Sequence, residues 1–295
     1  MNLRLVKQIR ENEPLRESFF RLAEQVFGLN FRDWYRKGFW TDQYIPYVMT
    51  DGDRVAANVS VNIMNLIWCG IPKHYIQLGT VMTDPAYRGQ GLSRTLLEEV
   101  LKDWAEYCDC LYLFANSSVL GFYPKFGFAR TTEYQYIMRL DAQQSVKSRF
   151  RKLNMALPED RALFHAYCIK PHPLSAFSMK DCYGLLMFYC DSFLKDCIYY
   201  SQDADAVCIA AQEGNDILCY DIFGGDKDSM AELLHGLAVT VAANAKQVLL
   251  GFTPANSNEC SCAPVCAADD TLFLLSGKES IFQDHPVMFP LLSHA

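Results

Sequence analysis

The stretch Val81-Met82-Thr83-Asp84-Pro85-Ala86-Tyr87-Arg88-Gly89-Gln90-Gly91-Leu92-Ser93 decides the fold. An apolar strand runs into Pro85, two glycines bracket a short loop, and an amphipathic helix starts at once. Leu92, Leu96, Leu97, Val100, Leu101 and Trp104 fall at helical intervals along it. Glycine lets a backbone approach a ligand closely and turn its N–H groups inward. The helix start adds unpaired N–H groups and the positive end of the helix dipole. Together they make a seat for a pyrophosphate. A Walker loop needs Gly-Lys-Ser/Thr, which is missing. A dinucleotide fingerprint needs a third glycine where Arg94 stands. The segments 44–50, 55–68 and 75–83 read as strands joined by tight turns at Asp51-Gly52 and Cys69-Gly70-Ile71-Pro72. Such antiparallel hairpins argue against a Rossmann unit.

Downstream, the apolar run 110–115 reads as a buried strand. It is followed by Asn116 and then by Gly121-Phe122-Tyr123-Pro124-Lys125-Phe126-Gly127-Phe128. These two segments together resemble the GNAT superfamily of acyl-coenzyme A N-acyltransferases. Arg88, Gly91 and Ser93 occupy the family's Arg/Gln-x-x-Gly-x-Gly/Ala positions, with Ser93 in place of the usual Gly or Ala. Asn116, Phe122, Tyr123, Gly127 and Phe128 match the later segment.

The resemblance implies acetyl-CoA as co-substrate and acetyl transfer to a primary amine of a small molecule, by direct attack in a ternary complex. It implies that Val81, Met82 and Thr83 supply main-chain donors to the oxyanion and pair with the pantetheine arm. The amides of Arg88, Gly89, Gln90, Gly91, Leu92 and Ser93 would hold the pyrophosphate, and Asn116 the pantetheine. Tyr123 would protonate the leaving thiolate; its phenol is a chemically apt donor. A lysine-like amine, with a pKa of about 10.4, is almost wholly protonated at neutral pH and needs a base. Asp84, Asp33, Asp42 and His74 are candidates, and none stands out. The rival readings are an acyl-CoA sensor or scaffold without turnover and a protein amine acetyltransferase.

The chain has 295 residues, 51% of them hydrophobic and 21% charged, enough for a full core and too apolar for disorder. A net charge of −7 makes nucleic acid a poor partner and favours small cationic acceptors. No signal-type segment is evident, and no run nears the ~20 apolar residues of a membrane span. The expectation is a soluble, cytoplasmic protein without a membrane partner. Its 12 cysteines then read as reduced, mostly buried thiols.

A polar, basic stretch over 141–157, followed by Pro158, places a boundary near 145. Residues 1–145 are expected to be the catalytic domain and 146–295 a second one. Helices are expected at 159–168 and 180–196. A hairpin (206–212 and 217–223) turns at Gly214-Asn215, and a Ser229–Glu232 capping box opens a helix to about Ala245. Strands follow at 248–252 and 271–275. This order echoes the first half. The turn Phe223-Gly224-Gly225-Asp226-Lys227-Asp228-Ser229 lacks the pyrophosphate motif, and its two aspartates would repel phosphate.

The expected architecture is therefore α/β (α+β type): a GNAT fold with a mixed, mostly antiparallel sheet, then a degenerate GNAT-like domain that holds no coenzyme. It is similar to enhanced-intracellular-survival type acetyltransferases, although that type carries a third domain for which this chain has no room. Cys260, Cys262 and Cys266 crowd one loop-like stretch. Only the last two have zinc-pair spacing and no fourth ligand is near, so no metal is expected.

Overall fold

A computed structural model describes residues 3–141, 148–265, 269–279 and 281–294. The chain opens with β1 (Leu3–Lys7) and α1 (Glu13–Phe27). The Asn12 side chain accepts from the Leu15 N–H, Pro14 sits in the first turn, and Gly28 at φ 70° ends the helix. Leu15, Phe19, Phe20, Leu22 and Ala23 form its buried face. After the short α2 (Arg32–Arg36), strands β2 (Tyr44–Asp51), β3 (Arg54–Trp68) and β4 (Ile71–Thr83) form the antiparallel meander read from the turns. At the second turn Cys69 and Gly70 both have positive φ, the backbone a two-residue hairpin requires.

Helix α3 (Leu92–Trp104) then crosses over to β5 (Cys110–Ala115), which runs parallel to β4. A parallel neighbour needs such a crossover, and Leu92, Leu96, Leu97 and Val100 bury its inner face. Two strands close the first half, β6 (Phe128–Arg130) and β7 (Tyr134–Arg139).

The second half repeats this order with different residues. It begins with β8 (Arg151–Lys152), α4 (Pro158–Cys168), β9 (Ser175–Met179) and α5 (Tyr183–Phe188). Then β10 (Ile198–Ser201), β11 (Ala206–Glu213) and β12 (Asp216–Gly224) form a meander. Helix α6 (Met230–Val241) crosses to β13 (Gln247–Leu250), parallel to β12. The pieces β14 (Thr253–Pro254), β15 (Cys260–Pro264), β16 (Thr271–Leu275) and α7 (Ile281–Asp284) complete the chain.

The halves exchange a strand. The first sheet runs β1-β2-β3-β4-β5-β16-β6, so a strand from the end of the chain lies between β5 and β6. The second runs β15-β7-β13-β12-β11-β10-β8, so β7 fills the equivalent place there. A division of the sequence at 145/146 therefore separates neither sheet from the other half. Strand β9 adds a further tie, pairing Leu66, Ile67 and Trp68 of β3 with Met179, Ser178 and Phe177.

One core fills the junction, with Tyr75 and Tyr112 from the first half and Phe164, Phe177, Phe223 and Phe289 from the second. Tyr112 and Phe289 stack 3.9 Å apart, 8° from parallel. Glu133, on the link between β6 and β7, is buried here and accepts the Phe289 N–H at 2.7 Å. Burial raises its carboxyl to about 7, against the opposing pull of His294 and the Phe289 N–H.

Three local readings need correction. The helix expected over 180–196 starts at Tyr183, and its last part, Tyr189–Phe193, widens into a π turn. The Ser229–Glu232 capping box does not form; the Ser229 hydroxyl donates to Asp226 O at 2.8 Å, and the helix ends at Val241. Cys260 and Cys262 lie on the edge strand β15 rather than in a loop, while Cys266 falls outside the described residues. Among the described residues no cluster of three or more His, Cys, Asp or Glu side chains is placed to hold a metal, and no helix is long and apolar enough to cross a membrane.

Two outcomes follow from this architecture. Calorimetry of the whole chain should show one cooperative transition, and a 1–145 fragment, without β16 between β5 and β6, should show none; two separate transitions in the whole chain would contradict the shared core. Glu133 holds a proton in the folded chain that the unfolded chain releases near its ordinary value of about 4.3. Stability is therefore lost as pH rises through the window from there to about 7. Glu133→Gln keeps the acceptor and cannot ionise, so the fall in Tm between pH 5 and pH 8 should shrink in that variant.

Candidate active site

Strands β4 and β5 pair only from Tyr75↔Cys110 to Leu78↔Leu113 and then part. The cause is an irregularity in β4. Its register against β3 shifts between Ser60↔Gly79 and Asn58↔Met82, and Thr80 takes a left-handed φ of 45°. For a β-branched residue this costs roughly 1–3 kcal/mol and must be held from outside. Asn58 Nδ2 donates to Thr80 O at 2.8 Å and to Ser60 Oγ at 2.9 Å. Ser60 Oγ donates to the Tyr44 phenol oxygen at 2.9 Å, which lies 2.7 Å from Thr80 Oγ1. The buried Tyr44 phenol keeps its proton, burial pushing it up to about 12.

The gap between the parted strands is a groove of about 620 Å³. Residues 77–83 of β4 form one wall, and Phe114, Ala115 and Asn116 with the following turn form the other. Arg88 and Ser93 border it at the glycine turn. Of the residues expected to hold coenzyme, Val81, Met82, Thr83, Arg88, Ser93 and Asn116 line the groove. Met82 is buried in the aromatic core under α1, so its contribution to the groove is main-chain. Gly89, Gln90, Gly91 and Leu92 make the turn itself without bordering the groove. Gly89 and Gly91 adopt φ of 76° and 74°, which glycine takes without strain. Gly91 is also the N-cap of α3 and provides no side-chain cap, which leaves the first helical amides to other acceptors.

Ser93 has a local role that explains its tolerance at a small-residue position. Its Oγ lies 2.7 Å from Thr83 Oγ1, tying the helix start to the end of β4. Asp84 braces the same turn: it accepts the Ala86 N–H at 3.0 Å and pairs with Arg54 at 2.5 Å. Burial works to raise its carboxyl, but these partners win and hold it below the ordinary value. It faces a different surface depression and is no base for the groove. Asp33 and Asp42 are surface residues paired with Arg36 and Arg10, and the His74 ring faces Asn65. None of the three borders the groove or the cavity beyond it.

Tyr123 lines the groove with its ring buried. The ring is edge-on to Phe122 and sits 5.9 Å from Phe273 of the exchanged strand β16. Burial raises its phenol to about 12, so it stays protonated at neutral pH.

Beside the groove lies a second cavity of about 420 Å³, and Leu29, Thr80 and His294 belong to both walls. His294 is the one ionisable side chain among these three. Its Nδ1 is 3.3 Å from Asp270 Oδ2, its ring stacks 3.7 Å from Phe114, and its Nε2 is buried with no hydrogen-bond partner among the described residues. The Tyr189 hydroxyl donates to its carbonyl. No motif announced His294, Asp270, Thr80 or Tyr44, because each acquires its place through long-range packing. At the equivalent turn of the second half, Asp205 O stands 2.5 Å from where a Gly224 Cβ would lie, with the Tyr167 ring at 3.4 Å.

Residues 7–131 match the family described as acetyltransferase (GNAT) domain. A search of curated proteins finds no match. Solved structures share the fold along most of the chain. A probable N-acyltransferase from Enterococcus faecalis V583 has a TM-score of 0.61 at 13% identity, covering 93% of this chain and 72% of that one. A GCN5-related N-acetyltransferase from Kribbella flavida gives 0.57 at 16% identity, covering 92% and 70%. Eis1 from Mycobacterium abscessus gives 0.56 at 13%, covering 93% and 73%. Residues 7–131 are thus similar to the GNAT acetyltransferase domain, within a mixed α/β fold shared almost from end to end with solved structures described as N-acyl- and N-acetyltransferases.

Proposed function

We propose that the protein transfers acetyl from acetyl-CoA to the primary amine of a small molecule by direct attack in a ternary complex. The observation that carries this reading is the meeting of two cavities at Thr80 and His294. One ligand can lie along β4 and a second can occupy the adjoining cavity, with Thr80 and His294 common to both walls. In this reading residues 1–145 hold the coenzyme and supply Tyr123. The remainder holds no coenzyme, supplies His294 and Asp270, and builds one wall of the acceptor cavity. The protein works without a metal, in the cytoplasm, and needs neither nucleic acid nor a membrane.

The groove fits the parts of a coenzyme A thioester. Arg88 and the start of α3 at Ser93 offer positive charge for the pyrophosphate. The main chain of Val81, Met82 and Thr83, free of β5, offers donors to the pantetheine and to the oxyanion that forms at the thioester carbon. The amine lone pair bonds to that carbon and the C–S bond breaks. Tyr123 gives its proton to the departing sulfur. The proton lost by the amine goes to His294, directly or through one water, and Asp270 steadies the resulting imidazolium.

Thiol release measured against a broad amine panel tests the reading, and silence with every amine would favour an acyl-CoA sensor instead. Tyr123→Phe should lower kcat by about 10²-fold with acetyl-CoA affinity unchanged, since only proton transfer is lost. Gly91→Ala, forced into a left-handed φ, should weaken acetyl-CoA binding about tenfold by calorimetry, on the roughly 1–2 kcal/mol that such a backbone costs.

A further inference from the structure

The cavity beyond the groove has a wall chemistry of its own. Six aromatic rings border it: Phe31, Trp34, Tyr44, Phe188, Tyr189 and Phe193. Phe31 stacks on Phe188 at 5.3 Å and on Tyr44 at 5.8 Å, and Trp34 meets Phe188 edge-on at 5.9 Å. Leu29, Ile63, Met64 and Leu185 add aliphatic surface; Thr41, Gln43, Asn62 and Thr80 are polar and uncharged, and His294 brings an imidazole. Among the described residues no aspartate or glutamate lines the cavity. This departs from the chain's acidic balance, which favoured cationic acceptors; the acidic residues lie elsewhere.

A polycation entering such a space would shed water from several charges and meet no carboxylate in return, a prohibitive cost. An amine on a flat apolar body meets the opposite balance. Its rings bury against rings, in a volume within the roughly 300–1,000 Å³ usual for small-molecule sites. Its single ammonium, drawn into apolar surroundings, has its pKa lowered toward the neutral form that attack requires. The amine end then lies toward Thr80 and His294, which the cavity shares with the groove.

We infer that the acceptor is an arylalkylamine: one primary amine on a short tether from an aromatic body, the body seated among Phe31, Trp34, Tyr44 and Phe188. This rests on the transferase reading above and adds the acceptor's class to it. The second half of the chain takes part in the selection, because Phe188, Tyr189, Phe193 and Leu185 come from α5 and the π turn that follows it.

The experiment compares 2-phenylethylamine with spermidine as acceptors for the full chain and acetyl-CoA, following thiol release and the mass of the N-acetylated product. The kcat/KM for 2-phenylethylamine should be at least tenfold higher. Leu185→Asp places a carboxylate in the cavity and should cut that ratio at least tenfold, with acetyl-CoA affinity by calorimetry unchanged as the check on folding. Leu185→Trp, which fills the cavity without charge, should raise KM for 2-phenylethylamine and leave that for acetyl-CoA alone. A preference for spermidine overturns the acceptor class and leaves the transferase standing. Preferred use of octanoyl-CoA over acetyl-CoA, abolished by Leu185→Trp, assigns the cavity to an acyl chain and also overturns it. Binding of 2-phenylethylamine to coenzyme A-saturated protein without any turnover supports the ligand class while the transferase reading fails. Neither binding nor turnover refutes both.

Discussion

The parting of β4 from β5 after Leu78 is the constraint on which the rest depends. Two parallel strands that paired to their ends would offer no main-chain donors and no groove. The separation is maintained by a residue in an unfavourable backbone state, Thr80, held by Asn58, Ser60 and Tyr44 through buried hydrogen bonds. The strain is local, and the aromatic packing around Tyr44 supports it: Phe31, Trp34 and Trp40 all contact that ring. The side chains that secure the opening thus also form part of the apolar cavity. Shape of groove and chemistry of cavity are coupled through one tyrosine.

The exchange of β7 and β16 explains why the second half belongs to the site. Strand β16 pairs along β5 and presents Phe273 to the Tyr123 ring, so the proposed acid rests on a strand more than a hundred residues away in sequence. Asp270 just before that strand and His294 at the far end of the chain meet at the junction of the cavities. The second half repeats the element order of the first, yet its own glycine turn is closed by Asp205 and Tyr167.

Much of the site's first half was legible because its signals are local. A glycine needed at positive φ, a proline ending a strand and apolar residues at helical spacing act within a few residues, and Gly89, Gly91, Pro85 and α3 sit where those rules place them. The Ser229–Glu232 pair obeyed the same pattern and still failed, since the Ser229 hydroxyl found a nearer acceptor in Asp226 O. Strand β9 was missed because Ser175–Met179 is short, and its strand character depends on pairing with β3. Asp84 looked available as a base only while Arg54, thirty residues away, was out of view.

By itself the sequence determined most element types, the hairpin meander and the glycine turn before α3, because short-range sterics and periodicity settle these. Tertiary structure alone decided which strands are neighbours, that the halves share one core, and that a histidine at the chain's end stands between two cavities. Alternating apolar residues specify that a segment is a strand and which face is buried. They do not specify its partner, and in this protein the partners of β7 and β16 lie in the opposite halves.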